Sequence, residues 1–346
     1  MNPENGALEG RAVFAGLMLA SLVAIGLAIG LSTGIGDLPI PLGTTFTAIT
    51  NRLGWTSTEI DRVYETVIWD YRLSRALVAA FCGAGLALSG AIMQSLLRNP
   101  LAEPYVLGIS AGASTGAVAI IILGLGGGVL SLSGGAFLGA FAAFCFVALL
   151  SNGTRGGADR TILAGVAASQ LFNATTSYIV TTSGNAQQAR DVMFWLLGSF
   201  GGVRWPEFML VSVVVSIGLV ACLCYARTLD TFAFGDETAA SLGVNVDRAR
   251  IVLFALTAMM TATIVSMVGS IGFVGLIVPH TARALVGPLH IRLLPACILI
   301  GAVFMVLADV ASRALIPQQV LPIGVVTALV GVPFFSIILY RLQRAA

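Results

Sequence analysis

The sequence predicts an all-α, polytopic membrane protein: one domain over residues 1–346 with ten transmembrane helices and a short cytoplasmic helix between two of them. Three observations carry this. Of the 346 residues 57% are hydrophobic and only 10% charged, far from the balance of a soluble domain. The apolar residues gather into runs near the ~20 residues that a helix needs to cross the hydrocarbon core. The 40 glycines point the same way, since small residues let membrane helices approach closely.

Taken in order, the runs are 12–31, 76–97, 107–125, 136–150 and 161–180 in the first half. The second half gives 208–226, 251–268, 273–286, 294–307 and 321–340. The first lacks a cleavage site and reads as a retained helix, not a signal peptide. Two runs are short, and Pro279 is expected to interrupt one of them. The connection 32–71 holds Pro39 and Pro41 and then a mixed polar, helix-like stretch from Thr58 to Asp70, expected on the outer surface. The connection 181–207 carries Trp195 and Trp205, which suit a membrane interface.

The segment 228–250 stands apart from the apolar runs. Asp236 can cap a helix, Glu237 suits the positive end of its dipole, and Gly243 supplies a left-handed stop, which makes about two turns. A helix that short is not stable alone, so it reads as a piece to be gripped by a partner, with an ordinary polar loop as the plain alternative.

An even number of spans puts both termini on one side, and the arginines choose that side. With the N-terminus in the cytoplasm, Arg11, Arg98, Arg155, Arg160, Arg227, Arg248, Arg250, Arg283, Arg292, Arg341 and Arg344 lie inside. Arg52, Arg62, Arg72, Arg75, Arg190, Arg204 and Arg313 lie outside, so segment 228–250 is cytoplasmic.

Composition also excludes functions. A net charge of +2 gives no footprint for nucleic acid. All 18 basic residues are arginine, so the chain has neither a G-x-x-x-x-G-K phosphate loop nor a Schiff-base lysine. The 5 cysteines fall in apolar runs and form neither a disulfide framework nor a C-x-x-C site. His280 has no second ligand at helical spacing, so no metal site follows.

Polar residues within the spans are the informative ones, since a charge at the bilayer centre costs about 2.5 to 3.5 kcal/mol on insertion scales. Asp309 is the one acid near a span interior, with Arg313 a turn further on. This scarcity argues against an ion-coupled secondary transporter, the leading alternative. Ser110, Ser114, Thr115, Ser169, Gln170, Asn173 and Thr176 are expected to line a wide, weakly polar path. Gly108-Ile109-Ser110-Ala111-Gly112 matches the nucleophile turn of hydrolases, but Gly112 and Gly116 account for the same letters as close helix packing. An intramembrane serine hydrolase is therefore the weakest reading. Arg98-Asn99-Pro100-Leu101-Ala102-Glu103-Pro104 is a rigid turn that puts Asn99 and Leu101 at the inner mouth of such a path. Arg72, Arg75 and Arg313 either snorkel to headgroups or form a basic rim for an acidic partner.

Several motifs in order resemble one family. They are Arg72-Leu73-Ser74-Arg75, Asn99-Pro100-Leu101-Ala102-Glu103-Pro104, Leu107-Gly108-Ile109-Ser110 and Leu163-Ala164-Gly165-Val166-Ala167. They continue through Gly235-Asp236-Glu237 with Leu242-Gly243, the run Gly272 to His280, Ala308-Asp309 and the run Leu321 to Thr327. Together they resemble the FecCD-type permeases of bacterial ATP-binding-cassette importers for iron-siderophores, heme and cobalamin.

The resemblance implies a non-catalytic inner-membrane subunit, paired with a second permease copy as a homodimer or with a related permease as a heterodimer. Two ATPase subunits would lie beneath, holding ATP and Mg²⁺, and a periplasmic binding protein would dock above. No cofactor is expected on this chain itself. Gly235, Asp236, Glu237, Leu242 and Gly243 would form the ATPase-coupling helix. Asn99, Leu101 and Asp159 would belong to the cytoplasmic gate, and Arg72, Arg75 and Arg313 would meet acids of the binding protein. Gly157-Ala158-Asp159 departs from the small hydroxyl residues the family often carries there. The implied cargo is a ferric siderophore first, then heme and cobalamin.

Overall fold

The computed structural model describes residues 3–36, 38–125, 130–151, 157–316 and 319–345; Arg155, counted among the inside arginines, lies outside them. The chain begins with α1 (Pro3–Gly34), α2 (Leu42–Arg52), α3 (Arg62–Thr66), a π-helical stretch Val67–Leu73 and α4 (Ser74–Leu96). After a 3₁₀ turn Pro104–Leu107 come α5 (Ile109–Ile121), α6 (Leu132–Leu150), α7 (Gly157–Ser183) and α8 (Ala186–Leu196). Then follow α9 (Trp205–Cys224), α10 (Ala226–Phe232), α11 (Asp236–Ser241), α12 (Val246–Val268), α13 (Val274–Val286), α14 (His290–Ala314) and α15 (Ile323–Ala345). Among the described residues there is no strand, only an isolated bridge between Ile316 and Gln319.

Every one of the ten predicted runs falls on a helix. Six helical segments are long and apolar enough to cross a membrane by length and composition: 14–34, 62–96, 132–150, 205–224, 246–268 and 290–314. α5, α13 and the segment 323–337 are shorter apolar helices. α7 is long enough, but polar side chains punctuate it.

α4 is the axis of the bundle, packed by α9, α12, α13 and α14. Close approach is built from glycine. A Cβ at Gly90 would lie 1.9 Å from the Gly275 carbonyl oxygen, so only a bare backbone lets α13 cross α4 there. That same oxygen accepts from buried Gln94 Nε2 at 3.1 Å. Pro279, four residues on from Gly275, has no N–H to offer it. The expected interruption at Pro279 is thus absent: α13 runs through it because Gln94 satisfies the freed carbonyl.

Gly112 and Gly116 of α5 abut Gly139 and Gly135 of α6, where added Cβ atoms would sit 2.3 and 2.1 Å from carbonyl oxygens. This is the packing reading of the glycine–serine motif.

The connection 32–71 differs from expectation. Thr58–Asp70 is not one surface helix: α3 and the π-helical stretch run directly into α4 as one 35-residue helix, Arg62–Leu96. Asp61 starts it by accepting from Val63 N at 2.9 Å. In the connection 181–207, Asn185 and Gln188 form the capping box that opens α8.

Candidate functional site

The segment 228–250 is more structured than a loop. α10 seats Leu229 and Phe232 in the core, and α11 buries Ala239. Gly235 at φ 97° starts α11, and Gly243 at φ 85° ends it in the left-handed region, as the sequence suggests. The expected capping role of Asp236 is corrected. Gly235 is the N-cap, and Asp236 is the first helical residue. Its carboxylate takes Arg250 Nη2 at 3.0 and 2.9 Å, because a buried guanidinium demands a charged partner. Glu237 is exposed, and Phe234 (73%) and Leu242 (64%) stand out as large apolar side chains on either side of α11.

Two further contacts fix this region, and neither is foreseen from sequence. Asp230 Oδ1 accepts from His290 N at 2.9 Å and lies 2.6 Å from His290 Nδ1. His290 Nε2 lies 2.6 Å from Ser95 Oγ. α10, α14 and the end of α4 are thereby joined. The partners lie 60 and 195 residues apart, beyond the reach of any local pattern. Arg98, at φ 48°, reaches back so that a Cβ on Gly235 would be 3.4 Å from its Nη1.

The turn after α4 holds the expected gate residues. Asn99 Oδ1 accepts from Leu101 N at 2.9 Å, closing a short side-chain turn, and Leu101 is 41% exposed. Asp159 is exposed in the first turn of α7. The turn is anchored from behind. Glu103 accepts from Phe273 N at 3.1 Å, while Tyr105 Oη donates to Ile271 O at 3.0 Å and accepts from Ile271 N at 3.1 Å. Burial pushes the Glu103 carboxyl up from its ordinary value, partly offset by the bond from Phe273. α7 crosses this turn at Gly165, where a Cβ would collide with the Val106 carbonyl.

The polar residues expected to line a path divide into two sets. Ser114 and Thr176 are buried; Ser114 Oγ donates to Ser110 O at 2.8 Å, and Thr115 Oγ1 bonds Phe172 O and Thr176 Oγ1, both at 2.8 Å. Ser110 Oγ donates to Ser270 Oγ at 2.9 Å and not to a histidine, which leaves it no general base. Thr115 and Thr176 thereby join α5 to α7, Ser110 ties α5 to the segment 269–273, and Ser114 bonds back within α5; buried Ser114 and Thr176 face no path within the subunit, a correction to the expectation. The Thr115 and Thr176 hydroxyls find partners across α5 and α7, where hydrocarbon offers none. Gln170 and Asn173, by contrast, are exposed, and Ser169 is half-buried. On α7 the exposed positions Leu163, Ala167, Gln170, Ala174, Ser177 and Thr181 fall on one face at helical spacing.

The three arginines expected at the outer face turn into the bundle. Arg72 is buried and donates through Nη1 to Thr33 O (3.1 Å) and Gly34 O (3.2 Å), and through Nη2 to Leu38 O. Arg75 grips Asp309 through Nε at 2.9 and 3.2 Å and through Nη2 at 2.8 Å. Arg313 Nη2 lies 3.1 Å from the second Asp309 oxygen, and its Nη1 donates to Ile35 O at 2.6 Å. The expected exposed rim is therefore corrected to an internal clasp: fully buried Asp309 draws two guanidiniums inward, and the last carbonyls of α1 take the remaining donors. The exposed cations of the connection 32–71 include Arg52 and Arg62.

Comparison with known proteins agrees with this architecture. The FecCD transport family model matches residues 22–341. A cobalamin import system permease protein of Halobacterium salinarum is 40% identical over 88% of this chain and 80% of its own length. A hemin transport system permease protein of Yersinia pestis is 35% identical over 97% of this chain and 98% of its own. A solved metal-chelate type ABC transporter in an inward-facing conformation superposes with a TM-score of 0.82 at 31% identity, covering 94% of this chain and 99% of that one.

Proposed function

Because the chain belongs to the FecCD transport family, and is thus the non-catalytic membrane permease of an ATP-binding-cassette importer, we propose that it forms one half of a path admitting a metal chelate to the cytoplasm. The other half is a second copy of the chain. All ten predicted runs cross a bacterial inner membrane, with both termini in the cytoplasm. Two ATPase subunits, which hold the ATP and Mg²⁺, sit against α11 with Phe234 and Leu242 as its apolar anchors, and a periplasmic binding protein delivers the cargo.

The exposed face of α7 carries this reading. α7 has 27 residues, and Gln170 and Asn173 lie near its middle on the outward side. Moving an amide into hydrocarbon without a hydrogen bond costs about 4 to 8 kcal/mol, so this face is not a lipid face. Across a water-filled path from a second α7 the same amides stay solvated. Leu101 and Asp159 then stand at the inner end of that path, with the Asn99 turn holding Leu101 in place. Small, weakly polar walls let a bulky chelate pass without trapping it, which leaves selectivity to the binding protein.

The relatives named for cobalamin and hemin support a cargo of one class, an organic chelate enclosing a metal, with ferric siderophores as further members. The test is uptake of cyanocobalamin, hemin and a ferric siderophore into vesicles holding this chain, its ATPase and its binding protein. Uptake of one of them should require ATP. Uptake that persists without the ATPase and collapses with an uncoupler would show an ion-coupled transporter instead.

A further inference from the structure

We propose that Asp230 and Asp236 are positioning residues that pass the movement of α11 to two separate helix groups. Asp230 acts through His290 and Ser95 on α14 and α4, and Asp236 acts through Arg250 on α12. The inference rests on the reading of α11 as the seat of the ATPase.

α11 has 6 residues and cannot hold its own position, so side-chain bonds must place it. Two acids flank Gly235, whose φ of 97° marks the bend between α10 and α11. Each acid is bound twice by one partner. Asp230 takes both the backbone N–H and the ring of His290, and Asp236 takes Arg250 with both oxygens. Both partners are buried, His290 at the first turn of α14 and Arg250 at the first turns of α12. Charge-assisted bonds to buried groups are stiff, and displacing the acid means displacing the helix that holds its partner.

The two routes meet again at one place. Ser95 lies at the end of α4, directly before Arg98 and the Asn99–Leu101 turn. α12 leads at its far end into residues 269–273, where Ile271 and Phe273 hold Tyr105 and Glu103 of that same turn. A pull on α11 thus arrives at the gate turn from both sides, through rigid helices with few soft joints between.

The test uses the complete transporter in vesicles, with a photo-crosslinking amino acid in place of Leu242 to report seating of the ATPase. Transmission is read as stimulation of ATP hydrolysis by the unloaded binding protein. Arg250→Gln and Asp230→Asn should keep the crosslink and the unstimulated hydrolysis while stimulation falls by at least about five-fold, the low end of measured site-to-site couplings. The paired exchange Asp236→Arg with Arg250→Asp should recover stimulation that Arg250→Gln lacks. Full stimulation in both single variants overturns the proposal. So does loss of crosslink and stimulation together without recovery in the exchange, since the bond would then only hold the fold. A missing crosslink with unsubstituted Asp230 and Arg250 would instead refute α11 as the ATPase seat.

Discussion

Asp309→Asn should be among the most damaging single changes in this chain, and its size follows from the clasp. The carboxylate is fully buried and holds Arg75 at 2.8 and 2.9 Å and Arg313 at 3.1 Å. Those guanidiniums are 15% and 9% exposed, so neither can turn to water when the acid is neutralised. Removing one partner of a buried ion pair costs about 3 to 5 kcal/mol, and here one change strips two cations. Arg75→Gln or Arg313→Gln leaves Asp309 one cation, and should cost only about 1.5 to 3 kcal/mol, the worth of hydrogen bonds to a charged group. Unfolding of the purified protein in lipid nanodiscs gives these values, and combining Asp309→Asn with Arg75→Gln closes the cycle. The combined loss should fall short of the sum by about 0.5 to 3 kcal/mol. If Asp309→Asn lies within about 0.5 kcal/mol of the unsubstituted protein, as an ordinary surface change would, the clasp does not stabilise the fold.

Gly90→Val would push a side chain into the Gly275 carbonyl and part α4 from α13, so folded protein should be lost on size-exclusion chromatography. In a background with exposed Cys224 replaced by Ser, a charged thiol reagent should label Gln170→Cys and Asn173→Cys but spare Thr176→Cys. Binding-protein affinity should fall when Arg52→Glu and Arg62→Glu are combined and should hold in Arg75→Gln; the reverse result would mean the clasp opens on docking. Glu103 has its carboxyl pushed up by burial, so the folded state favours its protonated form. Its contribution is full below the ordinary carboxylate pKa of about 4.3 and is lost as pH rises through the raised value. Glu103→Gln keeps an acceptor for Phe273 N, and melting curves at neutral pH should therefore show no loss of stability.

The sequence alone determined that the ten apolar runs are helical, because length and hydropathy act locally, but not the shorter helices α2, α8 and α10 between them. It also placed the end of α11, since Gly243 takes a left-handed conformation that other residues avoid. It did not determine which way a side chain points. In a soluble helix the polar face marks the outside, but lipid and protein interior are equally apolar, so that contrast vanishes. The apolar runs of α1 and α4 read alike, yet 6% of one window is buried and 89% of the other. Only the tertiary structure turned Thr115 inward toward Thr176, left Gln170 facing out, and brought Arg75 to Asp309 across 234 residues. Those choices depend on which helices meet at glycine contacts such as Gly90 with Gly275, a property of pairs of segments that neither segment carries by itself.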